Sequence, residues 1–282
     1  MDATTDSSCI GVIAGGGQFP LLFIEAAKKA GRSVALVAHS GETPPETAGP
    51  ADLTCWVKLG QFGKILDFFR VHGITEVVFL GTITKTKIFT NVFPDLRGLA
   101  LWNEMRVHQD DHILRAVARA LGKEGVTVRE STMYLQHLLF PVGVLSKKRP
   151  SLEQHEDIVF GFRKARAIGD LDIGQCVVVR DRAVLAVEAI EGTDAAIRRG
   201  GELAKEQAVV VKVKKPGQDF RFDLPATGSH TIATLAAVKG AVLAVEAGQS
   251  LIFDRDEMIV QANRAGIVLV GVEELADGSL NY

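Results

Sequence analysis

The chain has 282 residues, 47% of them hydrophobic, enough to give each of two ordinary domains a core. A formal net charge of -2 provides no general attraction to nucleic acid, so any phosphate binding must be local and built from a few placed residues. Cys9, Cys55 and Cys176 are odd in number and share no metal-like spacing, which fits a reducing cytoplasmic compartment, while the acidic, polar start and the lack of a spanning apolar run argue against export and a membrane anchor.

In chain order, Cys9 to Ala14 reads as a buried strand that ends in Gly15-Gly16-Gly17-Gln18-Phe19-Pro20 and enters an amphipathic helix from Leu21 to Ala30. Gly31 stops that helix, Ser33 to Ala38 forms a second strand, and Lys64 to Gly73 followed by Glu76 to Leu80 repeats the helix and strand pattern. Such alternation predicts a parallel sheet with crossover helices, a Rossmann-like N-terminal domain. The glycine turn invites a nicotinamide dinucleotide, but Pro20 replaces the third glycine and Val37-Ala38-His39 stands where a ribose-binding carboxylate belongs. What remains is a turn able to bring the backbone of Gly16, Gly17 and Gln18 close to a ligand, or simply a tight strand-to-helix connection. Thr82 and Lys85 follow the strand ending at Leu80, at the same carboxyl edge; a cap is the competing role for Thr82. His108 and His112 have a zinc-like i, i+4 spacing without a third ligand, and read first as ordinary residues of a helix running to Leu121. Val126 to Arg129 is the last strand of a domain spanning residues 1–136.

Residues 137–151 lose periodicity, gain prolines and carry Lys147, Lys148 and Arg149, the pattern of a linker. Those three charges suit a solvated hinge or a peripheral contact with an anionic membrane. The second domain, residues 152–282, begins with a capping box at Ser151 and a helix to about Ile168. Cys176 to Arg180 and Ala183 to Ala189 form a hairpin around Asp181-Arg182, and Thr193 or Asp194 caps a helix from Ala195 to Lys205. The heptapeptide at Ala183 to Ala189 recurs at Ala241 to Ala247, by internal duplication or by chance.

The richest stretch runs from Lys215 to Thr231, between the strand Ala208 to Val213 and a helix capped by Ser229 or Thr231. Asp219 and Asp223 can serve a hard cation or a water proton, and Lys215 and Arg221 can neutralise phosphate oxygens; alternatively these charges pair with one another. Together with Glu188 and Asp194 they form an oxygen-rich set suited to Mg2+-assisted attack of water on a phosphoanhydride. The chain closes with a helix, Asp256 to Ala265, and a strand, Ile267 to Val272, giving a mixed α/β second domain.

Four motifs, Gly11 to Pro20, Asp172-Ile173-Gly174-Gln175, Val187 to Asp194 and Lys215 to Pro225, resemble in order and spacing the LpxI-type UDP-2,3-diacylglucosamine pyrophosphatases of lipid A biosynthesis. The resemblance covers nearly the whole chain. It implies a cytoplasmic two-domain hydrolase that splits UDP-2,3-diacylglucosamine into UMP and 2,3-diacylglucosamine 1-phosphate (lipid X) with Mg2+. It further implies that the acylated sugar lies between the domains and that Asp223, of the Arg-Phe-Asp motif, is catalytic. Asp219, Arg221 and Lys215 are its expected companions, with Asp223, Glu188 and Asp194 near the cation. Gly16, Gly17, Gln18, Thr82, Lys85, Gln175 and Thr193 are the expected substrate contacts. A homo-oligomer is the prior for such an enzyme. A non-catalytic binder of a nucleotide sugar or lipid, and an NAD-dependent oxidoreductase, are the alternatives.

Overall fold

The structure is a computed structural model that describes residues 9–84, 93–104, 110–222 and 224–282. The chain divides into two compact units: Met1–Gln136 with Asp219–Asp223, and His137–Gln218 with Leu224–Tyr282.

The first unit is built on strands β1 (Ile10–Ala14), β2 (Val34–His39), β3 (Leu53–Val57), β4 (Glu76–Leu80) and β5 (Thr127–Val128), all parallel in the order β3-β2-β1-β4-β5. β1 and β2 are buried along their full length, as expected for central strands covered on both faces. Helix α1 (Phe19–Lys29) buries Phe23 and Ile24, and α2 (Phe62–Val71) buries Phe62, Ile65, Leu66 and Phe69. The α2 residues join Ile13, Val37, Val77 and Phe79 in one core, since alternate residues of a strand share a face. Helices α3 (Leu96–Glu104) and α4 (Asp110–Lys123) follow β4 in sequence. β3 is an addition to the sequence reading: its half-exposed edge alternation lacks the continuous apolar run of its neighbours.

The second unit carries a mixed sheet of β7 (Cys176–Arg180), β8 (Ala183–Val187), β9 (Val209–Lys212), β11 (Val242–Glu246), β13 (Val268–Glu274) and β14 (Leu280–Asn281), ordered β14-β13-β11-β9-β7-β8. β9, β11 and β13 are parallel, while β7 runs against both β9 and β8. Helix α5 (Leu152–Asp170) covers one face through Ile158, Phe162 and Ala165 on Val177, Val179, Val209 and Val211. Helices α6 (Thr193–Ala204), α7 (Ser229–Ala237) and α8 (Arg255–Ala265) supply Ile197, Ile232, Leu235 and Met258 to the other, against Val178, Val210 and Leu243. Odd and even valines of the same strands thus serve opposite cores.

The capping box at Ser151 forms with Gln154. The other expected caps are replaced by glycines. Gly192 precedes α6 and Gly228 precedes α7, neither helix has a side-chain cap, and Thr193 and Ser229 are already helical. The stretch 137–151 is paired into the second unit: β6 (Gly143–Val144) lies antiparallel to β13, Leu139 bridges Leu251, and Phe140 is buried. The repeated heptapeptide takes two environments, an exposed antiparallel edge in β8 and a fully buried parallel centre in β11.

Candidate functional site

In the first unit the strand order reverses between β1 and β4, and the carboxyl ends of these strands form a topological switch point, where ligands bind in such sheets. Gly15 N donates to Leu80 O at 2.8 Å, Gly16 N to Thr82 O at 2.7 Å, and Thr82 N returns a bond to Gly16 O at 3.1 Å. A Cβ on Gly15 would overlap the Thr82 backbone and one on Gly81 would overlap Gly16 O, whereas Gly17 faces open space with φ 85°. The first two glycines answer to close approach and the third to backbone conformation. Gly16 and Thr82, expected as separate contacts, are therefore one structural piece. Gln18 is the N-cap residue of α1, with Pro20 in the first turn. β2 ends on buried His39, whose Nδ1 lies 2.9 Å from Ala14 O and so carries the proton. Burial holds this imidazole below its ordinary pKa despite the Ala14 carbonyl and Glu42, which act in the other direction.

In the second unit a polar cluster occupies the edge where β8 ends and β7 begins. Glu188 N donates to Cys176 O at 2.9 Å, which continues the hairpin by one residue and leaves the Glu188 side chain buried. Its Oε1 accepts from Thr193 Oγ1 at 2.8 Å and its Oε2 from Gln175 N at 3.4 Å. Gly174 permits this, because a Cβ there would overlap the Glu188 carbonyl oxygen. His230, at the start of α7, lies with Nε2 3.4 Å from Asp194 Oδ2 at the start of α6. Asp194 Oδ1 and Gln175 Oε1 are buried without a hydrogen-bond partner. Cys176, beneath the cluster, has its thiol pushed far up by burial, with Glu188 adding to the effect, and is no nucleophile.

The acid-rich loop has one charge pair of its own and one to a residue outside it. Arg221 grips Asp219 with Nε to Oδ1 at 3.0 Å and Nη2 to Oδ2 at 2.7 Å, a bidentate contact that holds the Asp219 carboxyl below its usual range. Lys215 Nζ lies 2.7 Å from Asp172 Oδ1. Within the first unit, Ser131 Oγ donates to Phe220 O at 3.1 Å, and Phe222 packs edge-on to Phe79 with ring centroids 5.7 Å apart. Asp223 and Lys85 lie outside the described residues, as does His108.

Residues 9–138 match the LpxI N-terminal domain and residues 141–270 the LpxI C-terminal domain. The chain is 35% identical over 277 residues to the UDP-2,3-diacylglucosamine pyrophosphatase LpxI of Caulobacter vibrioides, covering 94% of this chain and 97% of that protein. The chain belongs to the LpxI family. Two solved structures are similar only over parts of their length. They are the leucoanthocyanidin reductase–NADPH complex of Vitis vinifera (13% identity, 42% of this chain, 47% of that one, TM-score 0.26) and a biotin carboxylase–ATP complex of Campylobacter jejuni (10%, 82%, 41%, 0.28). At those scores neither carries an argument.

Within this LpxI chain, two of the four motifs meet through Gly174, Gln175, Glu188 and Thr193. The structure also adds residues that pattern reading passed over. Lys212 closes the apolar strand β9 yet is only 5% exposed, with Nζ on Ala226 O at 2.7 Å. Glu246 is equally buried at the end of β11, and Arg166 reaches it from α5. A lysine ending a run of valines is the available signal for the first; Glu246 is visible only as the counterpart of Glu188 in the second copy of the heptapeptide. Among the described residues no group of three or more His, Cys, Asp and Glu side chains is arranged to hold a metal. The orphaned Asp194 Oδ1 and the amide oxygen of Gln175, beside the Glu188 carboxylate, nevertheless fit a hard, oxygen-seeking cation.

Proposed function

We propose that this chain hydrolyses the pyrophosphate bond of UDP-2,3-diacylglucosamine, releasing UMP and 2,3-diacylglucosamine 1-phosphate, lipid X, with Mg2+ as the cation. The observation that carries the reading is similarity over 94% of the chain to the Caulobacter protein named for that activity. Asp223, Glu188 and Asp194 are the residues that would hold the ion, and the orphaned Asp194 oxygen is the feature that suits them to it. When bound, Mg2+ neutralises developing charge on the phosphate oxygens.

The remaining work falls to side chains and backbone. Asp223 orients the attacking water and takes its proton, with Asp219 holding Arg221 in a fixed orientation beside it in sequence. Arg221 and Lys215, each already aligned by a carboxylate, present cations to the phosphates. Gly16, Gly17 and Gln18 are the proposed contacts to the nucleotide or its phosphates, and Thr82, Lys85, Gln175 and Thr193 are further proposed substrate contacts. The division into an N-terminal domain of residues 1–136 and a catalytic domain of 152–282, with 137–151 paired into the second unit instead of forming a linker, belongs to the same reading. So do a cytoplasmic location, homo-oligomerisation and a peripheral contact with the inner membrane. No helix among the described residues is long and apolar enough to cross a membrane.

The test is direct. The purified protein is incubated with UDP-2,3-diacylglucosamine and Mg2+, and UMP and lipid X are measured. Product is expected from the wild type, with loss in Asp223→Ala and on chelation. Full activity in Asp223→Ala would refute the catalytic assignment, and indifference to chelator the ion.

A further inference from the structure

The loop from Lys215 to Pro225 is flanked at each end, at Lys214 and at Ala226, by a buried charge of the second unit. At the entry, Glu246 Oε2 accepts from Lys214 N at 2.8 Å, while its Oε1 bonds Arg166 Nη2. Arg166 itself reaches back with Nη1 to 3.5 Å from Lys214 O, so both backbone groups of Lys214 face one ion pair. At the exit, Lys212 Nζ donates to Ala226 O at 2.7 Å. Lys212 ends β9 and Glu246 ends β11, neighbouring parallel strands, so both clamps stand on the same sheet edge. Glu246 and Lys212 are each 5% exposed, and burying a charge costs several kcal/mol unless its polar capacity is used. A neutral residue would satisfy the core more cheaply. What each charge does here is fix a loop backbone group.

We infer that Glu246, with Arg166, and Lys212 are positioning residues for the reaction, clamping the two ends of the loop that bears Asp219, Arg221 and Asp223. The inference rests on the proposed hydrolase activity for its catalytic meaning, but the clamp itself is a property of the backbone. Neighbouring charges are few. Glu274 lies 3.7 Å from Arg166 and makes no bond to Lys214 among those described, which makes it a control. Further into the loop, Gln218 closes a local turn, with Lys215 N donating to its Oε1 at 3.2 Å and its own N donating to Lys215 O at 2.9 Å. The same turn carries the ion pair of Lys215 Nζ with Asp172 Oδ1, at 2.7 Å.

The experiment combines kinetics with hydrogen exchange on the full chain for Glu246→Gln, Lys212→Met and, as control, Glu274→Gln. In the first two, amides of residues 214–226 are expected to exchange at least about tenfold faster while those of β9 and β11 stay protected, since only local opening is eased. kcat is expected to fall about 10- to 100-fold with KM changed less than about threefold, the signature of misplacement at the reacting centre. Glu274→Gln is expected to match the wild type in both readouts. The inference is overturned if loop exchange is unchanged in both variants, or if β9 and β11 exchange rises in step with the loop, which marks a merely structural role. Exchange needs no substrate, so a wild type inactive on UDP-2,3-diacylglucosamine would sink the proposed activity and still leave the clamp to be judged.

Discussion

Gly174 stands so close to Glu188 that a Cβ on the first would overlap the carbonyl oxygen of the second. That approach brings Gln175 N to the Glu188 carboxylate and ties the Asp172 to Gln175 motif to the Val187 to Asp194 motif. Gly174→Ala must push the two segments apart, and backbone is the atom in the way. Overpacking of this kind costs about 1–3 kcal/mol. The expected result is a lower Tm together with an activity loss larger than the unfolded fraction explains, checked by calorimetry beside the UMP assay.

Thr193 Oγ1 donates to Glu188 Oε1 instead of capping its own helix. Thr193→Val keeps the shape and removes the donor, leaving a buried carboxylate oxygen short of a partner at a cost of about 1–3 kcal/mol. Thr193→Ser keeps the hydroxyl. Activity should fall about tenfold or more in the valine variant and be largely retained in the serine variant, measured as kcat/KM. A loss in the serine variant with the valine variant unaffected would instead assign the effect to the methyl group.

These two contacts mark where sequence reading stopped. The strand, glycine turn and helix order of the first unit was legible because periodicity and turn chemistry agree there, and the Ser151 capping box was legible because its pattern is local. The hairpin turn at Asp181-Arg182 was placed for the same reason, and both residues adopt positive φ, 51° and 56°. Edge strand β3 escaped because half-exposed alternation is faint. The heptapeptide Ala-Val-Leu-Ala-Val-Glu-Ala has no single environment to read: its glutamate holds Thr193 in one copy and Arg166 in the other. Residues 137–151 look like a linker by composition, yet Phe140 is buried and Gly143–Val144 pair with β13, partners more than a hundred residues away. Long-range pairing decides such positions, and a window along the sequence does not contain it.

His39 gives the first unit a pH dependence. Burial lowers its folded pKa below the ordinary 6.5, so the fold holds the neutral ring and the unfolded chain binds the proton more readily. Its contribution is complete above that ordinary value and is lost as pH falls through the lower folded value. Tm should therefore drop as pH falls below the ordinary imidazole value of 6.5, and His39→Leu should flatten that slope while losing the bond to Ala14 O. Thr43 Oγ1 also donates to Ala14 O, at 2.7 Å, which leaves that carbonyl satisfied in the variant. A slope identical to wild type would place the acid sensitivity elsewhere.

Asp157 on α5 accepts both Asp181 N, at 3.0 Å, and Arg182 N, at 2.6 Å, pinning the hairpin turn to the helix. The carboxylate is buried and these turn amides are its hydrogen-bond donors among the described contacts. Asp157→Ala removes both bonds and should cost about 2–3 kcal/mol, whereas Asp157→Asn keeps one acceptor and should lose less. Chemical denaturation gives the ranking. Since the turn lies at the opposite end of β7 from Glu188, kcat on UDP-2,3-diacylglucosamine should hold in whichever variant remains folded.

Arg221 and Asp219 show how charge pairing and function can share one contact. The guanidinium depresses the Asp219 pKa below its ordinary 3.8, so the pair's contribution to stability is complete above that value and is lost only as pH falls through the folded one. At neutral pH the pair is intact, and because the Arg221 side chain is partly exposed its stabilising effect is at most about 1 kcal/mol. Stability is therefore a poor reason for a fixed bidentate fork. Arg221→Lys retains the charge and loses the fork, so it separates the two roles: Tm should move little, while kcat should fall about tenfold if the planar geometry presents the cation to phosphate. The UMP assay and a thermal melt on the same preparation decide it, and wild-type kcat in the lysine variant would reduce the contact to an ordinary surface ion pair.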